Sequence, residues 1–299
     1  MAVTNKAASI LTRLKNQAKE QNISSQICLQ LFAQEEFLRR LSASEYKDKM
    51  ILKGGMFIYT LTEFESRPTR DIDFLVKQLP NDPAMILKIM SEICSISTEN
   101  DFINIDVLDT AQITLDKKYP GVKTKFIAYI SNVRIPFSID IGINDVIIPG
   151  PVLRHIPTRL EGFVEPEIYT YSLESTIAEK LDAILQRMET TSRMKDFYDI
   201  YYLSGIFNFS GDMLRKAIIE TTKHRGHMVD RDVFTRIKDF PTNQFIITQW
   251  KAFHPAKEIG ISLDETINNL LQFLEPVVLS IIENCTFEKQ WICTSRIWE

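Results

Sequence analysis

Two short stretches of the 299-residue sequence contain residues whose types and spacing could bind a nucleotide. The first is Lys53-Gly54-Gly55, a double glycine between a short apolar run and a predicted helix. Glycines at such a turn let the backbone approach phosphate oxygens, because no Cβ is in the way. The start of the helix presents free N–H groups to an anion. Such turns also occur as purely structural features, so this turn predicts phosphate binding only together with other residues.

The second stretch is Asp71-Ile72-Asp73. In a strand, residues i and i+2 project to the same face, so the two carboxylates are expected side by side. Neighbouring acids repel each other unless a cation lies between them. Mg²⁺, which prefers oxygen ligands, would supply that cation. The alternative interpretation is the solvent face of a strand that happens to contain two acids.

A glycine turn, a helix and then an Asp-x-Asp strand is the active-site layout of the polymerase-β-like nucleotidyltransferase fold. In that superfamily the turn binds the triphosphate and the strand acids hold metal ions. A third acid normally comes from a later strand. Asp140 in FSIDIG is our candidate, and Asp106 in FINIDVLD is the alternative.

The second half of the chain adds AEKLDAI and KDFYDIY, which contain Lys180 and Asp196. Taken singly, both residues have ordinary structural interpretations. A lysine at the edge of a buried helix face usually extends its charge to solvent. An acid near a helix start is often a cap or a favourable partner of the helix dipole.

Taken in order, the segments LKGGM and RDIDF (together the first motif), IDIG, AEKLDAI and KDFYDIY resemble the four motifs of the AbiEii/AbiGii toxin family of nucleotidyltransferases. The resemblance covers roughly residues 50–204 and implies a type IV toxin–antitoxin effector, or abortive-infection toxin. Such a protein would use a nucleoside triphosphate (NTP), have a cognate antitoxin, and transfer nucleotides to RNA, notably the acceptor end of tRNA. One departure concerns the turn, which usually reads Gly-Ser in the wider superfamily but is Gly54-Gly55 here. The change removes a hydroxyl that could touch a phosphate or a metal, although Gly-Gly is the form associated with this toxin branch.

The resemblance also implies roles for individual residues. Lys53, Gly54 and Gly55 would bind the nucleotide, and Asp71, Asp73 and Asp140 would hold Mg²⁺ or Mn²⁺. If the two domains close over the nucleotide, Lys180 would neutralise triphosphate charge. Asp196 would either position Lys180 or contact the acceptor. The implied reaction is attack of an acceptor hydroxyl on the α-phosphate with release of pyrophosphate, which is chemistry of EC class 2.7.7.

The elements that must position these residues form an α+β protein. Two N-terminal helices precede a mixed α/β region, in which DIDFLV, FINIDVLD, KFIAYI and VRIPFSIDIGI have the β-branched and aromatic composition of strands. From about Glu165 the pattern is helical, with Leu263–Ile282 the longest predicted helix. We therefore predict a polymerase-β-like nucleotidyltransferase domain over residues 1–165 and a helical domain over residues 166–299.

Composition limits the remaining possibilities. A net charge of −4 and a pI near 5.7 argue against a protein that coats nucleic acid through bulk positive charge, although a local basic groove is compatible with them. The sequence contains neither a secretory signal pattern nor an apolar run long enough to span a membrane. The four cysteines form no Cys-x-x-Cys pair and suit free thiols in a reducing compartment. These features predict a cytoplasmic protein with no membrane partner.

Several alternatives stay open on the sequence alone. Candidate RNA-facing charges form two groups: Lys117, Lys118, Lys123 and Lys125, and Arg187, Arg193 and Lys195. The first alternative function is a small-molecule nucleotidyltransferase with the same metal centre and a closed acceptor pocket. The second is a catalytically silent NTP-binding regulator, which the retained acid pair disfavours.

Overall fold

The computed structural model describes residues 5–79, 82–113, 121–226, 229–253, 255, 258 and 260–299. By internal contacts the chain divides into two units. Unit 1 contains Met1–Asp145 and Pro151–Tyr171, and unit 2 contains Val146–Gly150 and Ser172–Glu299. The sequence-based boundary at 165 differs from this division mainly because residues 166–171 lie in unit 1.

Unit 1 is built on a mixed seven-stranded sheet in the order β3-β4-β5-β2-β1-β7-β6. Strand β2 runs parallel to β5, strand β1 runs parallel to β7, and the other neighbours are antiparallel. The strands are β1 (Met50–Lys53), β2 (Ile72–Val76), β3 (Ile103–Ile113), β4 (Gly121–Ile130), β5 (Val133–Ile143), β6 (Val152–His155) and β7 (Glu167–Thr170). The four strands predicted from composition are thereby confirmed.

The helices of unit 1 are α1 (Lys6–Glu20), α2 (Ser25–Ser42), α3 (Gly54–Leu61) and α4 (Pro83–Ser95). Local sequence explains where three of them begin. The side chains of Asn5, Ser24 and Asp82 each accept a hydrogen bond from a backbone N–H in the first turn. Helix α3 begins without such a side-chain cap, at Lys53. Its first backbone donors are therefore not satisfied by a capping side chain.

Buried ion pairs lie within helix α2, and one further pair joins the helix to a distant segment of unit 1. Arg39 contacts Glu35 and Glu36 at 3.2 and 3.3 Å, and Arg40 contacts Glu36 at 3.2 Å. The guanidinium of Arg159, in the segment before β7, lies 3.3 Å from Glu35. Removing one member of such a network would leave a buried charge without compensation, which is strongly destabilising. The network therefore joins an N-terminal helix to a distant segment of the same unit.

A buried apolar row crosses one face of the central strands. Leu52, Phe74, Ile141 and Val122 are aligned across β1, β2, β5 and β4, and all four are buried. Phe74 also lies against Phe37 of α2, with ring centroids 6.2 Å apart. Because side chains alternate along a strand, the intervening residues project to the opposite face. That opposite face carries the polar residues predicted to be functional.

Unit 2 is mainly helical, with α5 (Leu173–Arg187), α6 (Met194–Ile206), α7 (Gly211–Arg225), α8 (Val233–Lys238), α9 (Gln244–Ala252) and α10 (Leu263–Ile282). Helix α10 has the bounds predicted from its apolar pattern. A small sheet of β8 (Phe209–Ser210), β9 (Gln290–Ile292) and β10 (Ile297–Trp298) accompanies the helices. In it Trp291 is fully buried beside Phe273 and donates its indole N–H to the carbonyl of Ser204. The C-terminal tail thus completes the core of this unit.

The expectation of helical structure from Glu165 onward is wrong at its start. Residues Glu167–Thr170 form β7, which pairs with β1 on one side and β6 on the other. A four-residue strand is too short for alternation to be recognised in the sequence, and its pairing partners are distant in the chain.

No helix in the described residues is long and apolar enough to cross a membrane.

Candidate functional site

Four charged residues lie side by side across the central strands of unit 1. Lys53 of β1 is paired in register with Asp73 of β2, and Asp73 with Asp140 of β5. Asp140 is in turn paired with Lys123 of β4. Residues opposite each other on adjacent strands share a face of the sheet and lie about 5 Å apart. We call Lys53, Asp73, Asp140 and Lys123 the charged row.

Asp71 lies next to the charged row. It immediately precedes β2 and is exposed, and alternation places it toward the same face as Asp73. Its charge acts on Lys123 together with those of Asp73 and Asp140. The three predicted acids are thus neighbours in the structure, and their role in binding a metal stays a prediction.

Lys123 forms an ion pair with one of these acids. Its Nζ lies 3.1 Å from Oδ1 of Asp140. Partial burial alone would lower the pKa of Lys123, but the hydrogen bond to Asp140 and the three carboxylate charges outweigh it, so the pKa is raised. Lys123 therefore stays protonated and compensates part of the negative charge. Sequence reasoning placed this residue among RNA-facing charges, because the register of β4 against β5 is not visible in the sequence.

The glycine turn touches the charged row directly. Gly54 has a φ of +68°, a left-handed conformation, and a Cβ placed there would lie 2.3 Å from Oδ2 of Asp73. Side chains other than glycine rarely adopt this conformation, and no real Cβ approaches a carboxylate so closely. Glycine at position 54 therefore brings the start of α3 against the carboxylate of Asp73. The predicted phosphate-binding turn and the predicted metal-binding acids form one site.

Lys53 is held on the opposite side of the row from Lys123. Its Nζ lies 2.8 Å from Oδ2 of Asp145 and 3.3 Å from the hydroxyl of Tyr171. The ammonium also lies over the Tyr171 ring, 4.9 Å from the centroid. These contacts fix a positive charge one residue before the glycine pair, where it can complement the charge of a bound phosphate.

The donor set fits a hard divalent cation. Within the described part of the chain, no three His, Cys, Asp or Glu side chains form a ready-made metal cluster. Mg²⁺ does not require one, since it commonly binds through one or two carboxylates, waters and substrate phosphates. Asp73 and Asp140 supply carboxylates on adjacent strands, and Asp71 offers a third nearby. An all-oxygen set of this kind suits Mg²⁺ or Mn²⁺.

Lys180 and Asp196 are brought together within unit 2. The Nζ of Lys180 lies 3.2 Å from Asp196 and 2.6 Å from Asp199, and all three side chains are buried. Asp196 also accepts a 2.6 Å hydrogen bond from Arg193. Burial alone would raise the pKa of Asp196, but the charges of Lys180 and Arg193 together hold it below its usual value.

The interpretation of Lys180 as a solvated flank is thereby corrected, because its ammonium is enclosed by two carboxylates rather than extended to solvent. Sequence reasoning did not assign Asp199 a role. Its spacing from Asp196 was the available signal, since residues three apart on a helix are neighbours on its surface.

The other sequence candidates lie elsewhere. Asp106, the alternative third acid, is exposed on β3 and is not in register with Asp140. It lies opposite Ile127 of β4, and Ile127 lies opposite Pro136, four residues before Asp140 on β5. Of the proposed RNA-facing charges, Lys125 is exposed 3.9 Å from Asp109. Arg187 and Lys195 are exposed, and Arg193 contacts Asp196. Lys117 and Lys118 lie outside the described residues.

The fold and the arrangement of glycine turn, acid pair and third acid define a nucleotidyltransferase of the polymerase-β-like class. The chain matches the family model for the "Nucleotidyl transferase AbiEii toxin, Type IV TA system" over residues 36–268. The protein therefore belongs to the AbiEii family of nucleotidyltransferase toxins. Among curated protein sequences, none matches the chain.

The solved structures similar to this one include two bacterial proteins. The nucleotidyltransferase toxin MenT4 from Mycobacterium tuberculosis H37Rv has a TM-score of 0.51 at 14% identity, covering 77% of this chain and 70% of its own. JHP933 from Helicobacter pylori has a TM-score of 0.48 at 16% identity, covering 87% and 95% respectively. At these identities the likeness to MenT4 shows a common fold and nothing about substrate.

Proposed function

We propose that this protein is a metal-dependent nucleotidyltransferase toxin that transfers a nucleotide from an NTP to an acceptor hydroxyl on RNA. The observation that carries the proposal is the charged row beside the glycine turn. It puts Asp73 and Asp140 on adjacent strands and the start of α3 against Asp73. Carboxylates next to the backbone N–H groups of a helix start are what a bound NTP and its metal ion require.

The triphosphate would lie at the start of α3. The backbone N–H groups of Gly54 and Gly55 donate toward its oxygens, and the helix dipole favours negative charge at this end. Lys53, held by Asp145 and Tyr171, adds a positive charge beside the turn. Because these groups are fixed by the fold, little reorganisation is needed when the nucleotide binds.

Asp71, Asp73 and Asp140 would hold Mg²⁺ or Mn²⁺. Bound there, the metal would stabilise the attacking and leaving oxygens of an in-line displacement. The acceptor oxygen forms a bond to the α-phosphorus while the bond between the α-phosphorus and the bridging oxygen breaks, and pyrophosphate leaves. Asp140, one strand farther from the glycine turn than Asp73, would accept the hydroxyl proton or complete the metal ligands.

For Lys180 and Asp196 of unit 2, the family resemblance implies that the lysine neutralises triphosphate charge and that the aspartate positions it. The 3.2 Å contact between them supports the positioning role of Asp196. Because Lys180 already lies between two carboxylates, its ammonium is oriented before any nucleotide binds.

RNA as the acceptor rests on the resemblance to the toxin family. In this chain the segments AEKLDAI and KDFYDIY follow in the order of the family's third and fourth motifs. The family description also names a type IV toxin–antitoxin system, which implies a cognate antitoxin. A small-molecule acceptor would leave the metal centre unchanged and is therefore an outcome that the acceptor experiment must distinguish.

The acceptor can be identified by incubating the purified protein with Mg²⁺, each of four α-³²P-labelled NTPs, and total bacterial RNA. We expect label to enter RNA, with the strongest signal in the tRNA fraction, and to disappear when Mg²⁺ is chelated. RNA affinity should also fall steeply with salt, since neutralised phosphates release counterions. Label that enters only a small-molecule extract, with tRNA binding unchanged by salt, would contradict the RNA acceptor.

Toxicity provides a second test in the cell. We expect induced expression in a bacterial host to arrest growth and an adjacent antitoxin gene to relieve the arrest. The Asp71→Ala/Asp73→Ala double variant should remain folded and non-toxic. Arrest by this variant equal to that of the wild type would show that toxicity is not enzymatic.

A further inference from the structure

The space next to Gly55 is filled by a hydroxyl from another part of the chain. A Cβ built on Gly55 would lie 2.8 Å from Oγ1 and 3.0 Å from Cβ of Thr69. Real Cβ atoms essentially never approach a heavy atom within 3.0 Å, so no side chain fits at position 55 unless Thr69 moves. Thr69 therefore occupies the place where the side chain of residue 55 would otherwise begin.

This place adjoins both parts of the proposed site. Gly55 is the second residue of α3, and its neighbour Gly54 lies against the carboxylate of Asp73. Thr69 comes two residues before Asp71 and donates its hydroxyl to the Asp71 backbone oxygen at 3.3 Å. That hydrogen bond is long, so the hydroxyl can turn to another acceptor at little cost.

The hydroxyl of Thr69 lies beside the place where the side chain of a serine at position 55 would begin. In the wider nucleotidyltransferase superfamily the turn usually reads Gly-Ser, and the serine has a hydroxyl next to the helix start. Here Gly55 has no hydroxyl, and Thr69 brings one to within 2.8 Å of where the serine Cβ would be. A hydroxyl donating to an anionic phosphate oxygen forms a charge-assisted hydrogen bond, which is stronger than a neutral one.

We propose that Thr69 is a nucleotide-binding residue whose hydroxyl replaces the missing serine hydroxyl at position 55. The inference deepens the proposed function and rests on it. Thr69 binds a phosphate oxygen or a metal-bound water of the NTP from the strand side, while Gly54 and Gly55 bind from the helix side. The glycine pair and Thr69 thus act together, and substituting either one alone should weaken nucleotide binding.

The test measures binding rather than turnover. The affinity of α,β-methylene analogues of the four NTPs is measured by calorimetry with Mg²⁺ present, and each variant is also melted. Thr69→Val keeps the shape and removes the hydroxyl, so it should weaken binding on the order of 10- to 100-fold. Thr69→Ser keeps the hydroxyl and should bind like the wild type. Equal affinity of wild type and Thr69→Val would overturn the inference.

Moving the hydroxyl separates a binding role from a merely structural one. Gly55→Ser alone should bind weakly and melt lower, because its Cβ meets Thr69. Gly55→Ser combined with Thr69→Gly removes the collision and restores a hydroxyl, so its affinity should exceed that of Thr69→Gly alone at least about tenfold. Affinity no better than that of Thr69→Gly would overturn the inference. Wild-type protein that binds none of the analogues would overturn the proposed function itself, a result distinct from a Val variant that binds normally.

Discussion

Gly54 is the residue at which the glycine turn and the acid pair meet, so a methyl group added there tests the site without removing any charge. Alanine at a φ of +68° costs about 1–2 kcal/mol, because the left-handed conformation crowds its Cβ. The same Cβ would lie 2.3 Å from Oδ2 of Asp73, and forcing such a contact typically costs a further ~1–3 kcal/mol. We therefore expect Gly54→Ala to lower the free energy of unfolding of unit 1 by about 2–5 kcal/mol.

Gly162 provides the matched control. It lies in the same unit with a φ of +86°, and a Cβ there would meet nothing within 4 Å. Gly162→Ala should therefore show only the conformational cost of about 1–2 kcal/mol. The difference between the two variants isolates the contact with Asp73. Shortening that side chain in Gly54→Ala/Asp73→Ala should recover most of the difference, as expected for residues in direct contact.

The assay must report on unit 1. The three tryptophans, Trp250, Trp291 and Trp298, all belong to unit 2, so their fluorescence would follow the wrong unit. Urea denaturation followed by hydrogen exchange of the β1 and β2 amides measures the stability of the sheet itself. Equal destabilisation by Gly54→Ala and Gly162→Ala, with no coupling to Asp73, would refute the packing of the glycine turn on the acid pair.

Three further results are expected. In urea denaturation, Lys180→Met should destabilise unit 2 by about 3–5 kcal/mol, because it removes the cation between two buried carboxylates. Asp196→Asn should cost only ~1–3 kcal/mol, since Lys180 keeps its contact with Asp199, and the reverse order would contradict the ion-pair geometry. Neighbouring cations lower the pKa of Asp196 against the effect of burial, so the charged carboxylate stabilises the fold at pH values above its ordinary pKa of 3.8. The difference in free energy of unfolding between wild type and Asp196→Asn should therefore shrink only as the pH falls below 3.8. A difference that shrank between pH 7 and 5 would exclude this titration. Lys123→Met should strengthen Mn²⁺ binding to the nucleotide-free protein at least about threefold by calorimetry, because it removes the cation beside the acids. The control Lys125→Met, on the same strand, should change Mn²⁺ affinity little, and equal effects of the two variants would show that Lys123 is not the counter-ion of the acids.

The sequence was sufficient for those parts of the site that depend on local periodicity. Strand alternation predicted that Asp71 and Asp73 share a face, and the glycine pair predicted a turn at the start of α3. The family resemblance then selected Asp140 rather than Asp106. Each of these inferences uses residues that are close in the chain or motifs that occur in a fixed order.

What could not be predicted depends on contacts between distant segments. The register of β4 against β5 decides that Lys123 lies against Asp140 rather than in a separate basic patch. Thr69 reaches the helix start only because the loop before β2 returns to α3. Strand β7 forms because β1 and β6 supply its hydrogen-bond partners, and nothing in four residues indicates that. Non-local pairing leaves no periodic signature in a single sequence.

The most direct test of the proposed enzyme is transfer of label from α-³²P NTP to RNA by the wild type, Asp73→Asn and Asp140→Asn, with Asp109→Asn as the control. Asp109 is an exposed acid on β3, away from the glycine turn. All four proteins should have the same circular dichroism spectrum. We expect both row variants to lose on the order of 10²–10³ in rate and the control to keep full activity. Incorporation by Asp73→Asn within about threefold of the wild type would contradict a reaction centred on the charged row.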